Sequence, residues 1–106
     1  MKTLLATLVF LSVGSAHAAC TQLEAQIVAS VDRIVAEDAT TCTVTLDYSK
    51  RYQFNSHILC PLSDVDASRG IVVSKYNNQC RFAEGGTISG IIYQSLNGSD
   101  SNVYLE

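Results

Sequence analysis

Leu23-Glu24-Ala25-Gln26-Ile27-Val28-Ala29-Ser30-Val31-Asp32-Arg33-Ile34-Val35-Ala36-Glu37 can be read with two different periods. With period two, Leu23, Ala25, Ile27, Ala29 and Val31 share one face, and a bulge near Asp32-Arg33 lets Ile34 and Ala36 resume inward. With the helical period, Leu23, Ile27, Val31, Ile34 and Val35 form a stripe, and Thr21 with Glu24 supplies a capping box. β-branched residues dominate the apolar positions, which favours a long bent strand.

Working outward from this stretch, the residues from Cys42 to Tyr48 alternate. Cys42, Val44, Leu46 and Tyr48 face one way, Thr43, Thr45 and Asp47 the other, as in a half-buried strand. Tyr52 and Phe54 continue the pattern after Ser49-Lys50-Arg51, which reads as a hairpin turn. Ser63 begins an S-x-x-D box with Asp66, Leu62 can pack on Ala67, and Gly70 offers a stop, predicting a helix of about two turns. Ile71-Val72-Val73, Thr87 to Leu96 and Asn102 to Leu105 are further strand candidates, with Asn97-Gly98 as a tight turn.

The strand reading of residues 23–37 predicts an all-β chain: a small OB-like Greek-key barrel with one short helix between its third and fourth strands. The run at Ile71 is then one strand more than that order needs. The helical reading predicts instead an α+β arrangement, an N-terminal helix packed on an antiparallel sheet. No named family's residue motif is met in either case.

The chain begins Met1-Lys2, runs nearly unbroken and apolar from Leu4 to Val13, and reaches Ala16-His17-Ala18. A basic start, a short apolar core and small residues one and three before a cut are the parts of a secretory signal. Residues 1–18 are therefore expected to be removed after Ala18, leaving residues 19–106 as a single small domain. The apolar run is too short to span a bilayer, which takes about 20 residues. Cys20 after two alanines raises the possibility of lipidation, although His17 departs from the lipoprotein pattern.

Cys20, Cys42, Cys60 and Cys80 all lie beyond that cut, spaced 22, 18 and 20 apart. An even count without a Cys-x-x-Cys pair, in a small exported chain, reads as two disulfides rather than a zinc site. Four cysteines allow three pairings, and loop closure alone leans to Cys20–Cys42 with Cys60–Cys80. The same features point to a periplasmic or secreted location.

After cleavage six of the seven basic residues and all ten acidic ones remain, a formal charge of −4. That balance opposes nucleic acid and anionic lipid, which are bound through Lys and Arg. No cofactor motif is present. His57, the only histidine beyond the cut, has no nucleophile-elbow sequence around it and reads as a surface residue where a strand meets a loop. Asp64 and Asp66 suit a helix N-terminus better than paired catalysis. Asn97 to Asn102 is oxygen-rich without calcium-loop spacing, and Asn97-Gly98-Ser99 matches a glycosylation sequon.

Tyr48, Lys50, Arg51 and Tyr52 interleave aromatic and basic side chains, and are the first candidate for a binding face. Core packing is the competing account of the two tyrosines. The functional expectation is an exported, non-enzymatic binding or envelope-structural domain, with a protein or small-molecule partner in the envelope. The alternative is a secreted inhibitor of a protease or lysozyme, with Tyr76 to Glu84 as its reactive loop.

Overall fold

The structure, a computed structural model, describes residues 20–98 and 100–106. The signal reading and its cut after Ala18 lie outside the described residues, as does Ser99 of the sequon. Residues 22–37 follow period two and form β1 (Gln22–Glu37). After it come β2 (Thr41–Leu46), β3 (Gln53–Ser56), a helical turn α1 (Asp64–Ala67), β4 (Ile71–Ser74), β5 (Thr87–Ser95) and β6 (Val103–Leu105).

The length of β1 lets it close a barrel. Its first half pairs antiparallel with β5, from Gln22 opposite Ser95 to Ser30 opposite Thr87. Its second half pairs with β2, from Val31 opposite Leu46 to Glu37 opposite Cys42. The circuit returns through β4 and β6, the latter two parallel, giving a closed barrel of five strands. The order around it, β1-β2-β4-β6-β5, is an OB-like Greek key. The run at Ile71, apparently surplus to that order, is a full barrel strand; short β3 is the additional one. The helix therefore lies between the third and fourth strands of the chain, but between the second and third of the barrel.

The register shifts between Val31 and Arg33, where the Asp32-Arg33 bulge is expected, and again between Ile34 and Ala36. Ile34 turns back to pack on the core, whereas the second irregularity leaves Ala36 exposed rather than inward. Inside the barrel Ala25, Ile27, Ala29 and Val31 meet Val44, Leu46, Ile71, Val73, Ile88, Ile92 and Val103. Each of the larger of these side chains contributes about 1.5–3 kcal/mol through burial.

Two local expectations are corrected. Ser49-Lys50-Arg51 is not a hairpin turn, because β2 and β3 do not pair with each other. Both run antiparallel to β1 along the same edge, β3 opposite Val28 to Ala25 and β2 opposite residues from Val31 onward. They are collinear, and residues 47–52 make a detour between them. The helix is one turn rather than two. Ser63 caps it by accepting from Asp66 N–H at 3.2 Å, Leu62 and Ala67 are both fully buried, and Gly70 (φ +125°) ends the turn.

The disulfides are Cys20–Cys60 and Cys42–Cys80, not the sequential pairs that loop closure favours. Sheet neighbourhood decides this. Cys42 faces inward on β2 opposite Val73 of β4, and the loop leaving β4 returns Cys80 over it. Cys60 arrives beside the start of β1, where Cys20 lies. With its sulfur in the bridge, Cys20 has no free thiol to carry a lipid.

Candidate functional site

The outward residues of β1 in its first half are Glu24, Gln26 and Val28, alternating with buried Ala25, Ile27 and Ala29. Gln26 stands opposite Asn55 on β3 and opposite Ile91 on β5, so one row crosses three strands. Above this row the segment from His57 to Cys60 projects from the sheet and overhangs it. Sheet and overhang enclose an open groove of about 650 Å³, lined mainly by Gln26, Asn55, Ser56, Ile58, Leu59 and Ile91.

The overhang is held by its backbone and by side chains, among them Ser56, whose hydroxyl donates to the Leu62 carbonyl at 2.7 Å across the base of the loop. His57 N–H and Leu62 N–H both donate to the Glu24 carbonyl (2.9 and 3.0 Å), while Glu24 N–H donates to the Cys60 carbonyl at 2.9 Å. Glu24 thus clasps both ends of the loop. Within it, His57 Nδ1 accepts from Leu59 N–H at 3.2 Å and from Cys60 N–H at 3.1 Å. An acceptor at Nδ1 leaves the ring proton on Nε2. The Cys20–Cys60 bridge ties the loop to the start of β1. Ile58 is consequently 94% exposed and Leu59 63% exposed on a braced turn. Apolar side chains of that size are seldom displayed side by side without a partner.

The face expected at Tyr48, Lys50, Arg51 and Tyr52 lies on the detour between β2 and β3. Tyr48 and Tyr52 meet edge to face with centroids 5.1 Å apart. Tyr48 packs against the core, and its hydroxyl donates to the Asp64 carbonyl at 3.5 Å. Burial, then the Asp64 charge, raises its pKa above the ordinary phenol value. Tyr52 is exposed, as are Lys50 and Arg51. The tyrosines border a smaller depression of about 220 Å³ with Asp64, Val65 and Ser68. It is a separate hollow from the groove.

Asp66 serves α1, accepting from the Ser63 hydroxyl at 2.9 Å and pairing with Arg69 at 3.0 Å. Asp100 accepts from the Tyr104 hydroxyl and from Asn102 N–H; the phenol contact, then the amide, holds its carboxyl below the usual range. The expected reactive loop at Tyr76 to Glu84 begins as a closed turn. Tyr76 and Gln79 exchange backbone bonds of 2.9 and 3.0 Å around Asn77 and Asn78, both at positive φ.

Ile58 and Leu59 are the site residues that sequence reasoning passed over. Their signal was present: two large apolar residues between a histidine and Cys60-Pro61, outside any alternating run. Among the described residues no group of three or more His, Cys, Asp or Glu is placed to hold a metal, and no helix is long and apolar enough to cross a membrane. Comparison with protein-family models, characterised proteins and solved structures finds no match for this chain.

Proposed function

We propose that the chain is an exported, non-enzymatic binding domain that holds an apolar group of its partner in the groove beneath the His57–Cys60 loop. Residues 1–18 are read as its signal and residues 19–106 as the mature domain, periplasmic or secreted. Two disulfides are typical of an oxidising extracellular compartment, which supports that location. The observation that carries the binding reading is Ile58, 94% exposed on a turn fixed at both ends. Covering such a side chain yields about 1.5–3 kcal/mol, and a loop already braced loses little freedom when it docks.

An apolar fluorescent dye tests this directly. The oxidised mature domain is expected to enhance anilinonaphthalene fluorescence, and Ile58→Ser with Leu59→Ser to remove most of that signal at an unchanged thermal midpoint. Wild-type protein that leaves the dye dark refutes the groove as a binding site. Turnover on a hydrolase substrate panel that disappears in His57→Ala refutes the non-enzymatic part.

The same exposed loop favours a second reading, a secreted inhibitor of a protease or lysozyme. Its presenting segment is then His57–Cys60 rather than Tyr76–Glu84, whose tip is folded into a two-residue turn. Stoichiometric inhibition on titration against such enzymes, lost in Ile58→Ser, is the outcome this reading requires.

A further inference from the structure

Among the described residues β3 is the terminal strand of its sheet, with β1 as its only strand neighbour. The phase of the β1–β3 ladder follows from His57 N–H donating to the Glu24 carbonyl. Hydrogen-bonding direction alternates along a strand. Asn55 opposite Gln26, and Gln53 opposite Val28, therefore also direct their N–H and C=O groups at β1. Phe54 and Ser56 direct theirs the other way, to an edge where the described residues place no strand. Residues 53–56 carry no charge and no proline, two of the usual guards against pairing. This edge adjoins the groove: Asn55 and Ser56 line it, and the loop bearing Ile58 and Leu59 starts at the next residue.

We propose that this edge takes up an extended peptide segment of a partner protein. The segment adds as a strand beside β3, bonds to the Phe54 and Ser56 backbone, and lays alternate apolar side chains along the outer face toward Ile58 and Leu59. This deepens the binding reading above and rests on it. Main-chain bonds give such strand addition its affinity, and pockets for every second side chain its selectivity. Charge argues for a partner rather than a second copy, since residues 19–106 carry a formal −4 and two copies repel. Glu24, the one carboxylate of the groove, favours a segment that is neutral or basic.

The test uses the oxidised mature domain and a displayed library of random linear peptides. Selected peptides are expected to show apolar residues at alternate positions. Ser56→Pro removes an edge-facing N–H and, with it, the Ser56 hydroxyl's 2.7 Å bond to the Leu62 carbonyl, so Ser56→Ala, which loses the hydroxyl alone, is the control. The proline is expected to weaken the peptides at least about tenfold relative to the alanine. N-methylating alternate residues of a selected peptide is expected to abolish binding in one register and spare it in the other, a readout needing no protein variant. Selection of no peptide, or indifference to both changes, overturns the proposal. Concentration-dependent dimerisation that Ser56→Pro abolishes also overturns it, in favour of a second copy. Dye fluorescence separates the two failures. If the dye still binds, the edge proposal falls alone; if it does not, the groove reading falls with it.

Discussion

Gly70 leaves α1 at φ +125°, and a Cβ placed there would stand 2.7 Å from Thr43 Cγ2 on β2. Gly70→Ala therefore combines backbone strain with a clash, and is expected to cost about 1–3 kcal/mol in chemical denaturation. Adding Thr43→Ser deletes the clashing methyl and is expected to restore only part of that loss, separating the two causes. Asp38 is a titratable case. Its Oδ1 accepts from Thr40 N–H at 2.8 Å and Thr41 N–H at 2.7 Å at the turn into β2. The Thr40 bond, then the Thr41 bond, lowers its pKa from 3.8. A carboxyl held lower in the folded state stabilises fully above its unfolded value and loses that contribution as pH falls through the folded one. The advantage of wild type over Asp38→Asn in thermal midpoint is thus expected at neutral pH and to vanish in acid well below 3.8.

At the scale of elements, the His57–Cys60 loop depends on one ring nitrogen accepting two amides. His57→Ala is expected to speed hydrogen exchange at Leu59 and Cys60 and to cost up to about 2 kcal/mol, while His57→Asn, whose Oδ1 also accepts, keeps most of the protection. The strands show what was legible. Ala25, Ile27, Ala29 and Val31 alternate cleanly because their strand has one face in the core, and the charged Asp32-Arg33 pair marks the point where it bends. The cap at Ser63 was equally plain, because capping is local chemistry. What stayed hidden was long-range. Ser49-Lys50-Arg51 is a plausible turn taken alone, and only the length of β1 makes β2 and β3 share its edge. The groove escaped notice for the same reason: Gln26, Asn55 and Ile91 form a row only once three strands are in register.

For the molecule as a whole, the bridges span 40 and 38 residues. Each is expected to contribute about 4 kcal/mol by restricting the unfolded chain. Cys42 is fully buried, so Cys42→Ala with Cys80→Ala adds a core cavity to that loss and is expected to lower the denaturation midpoint further than Cys20→Ser with Cys60→Ser. The latter pair is expected to free the overhang and quench dye binding in a barrel that still folds. Spacing could not reveal the connectivity, because doubling a loop changes its closure cost by only about 0.6 kcal/mol. The connectivity also bears on how the molecule is made. First bonds to third and second to fourth, so the two covalent rings are interlaced. An oxidase acting as thiols emerge in chain order joins the first cysteine to the second, a pair absent from the finished molecule. Maturation must then pass through exchange, a free thiolate attacking that early link. Where oxidation follows chain order, the yield of the native pairing is expected to rise with a thiol–disulfide isomerase, which oxidative refolding of the reduced chain with and without such a catalyst checks.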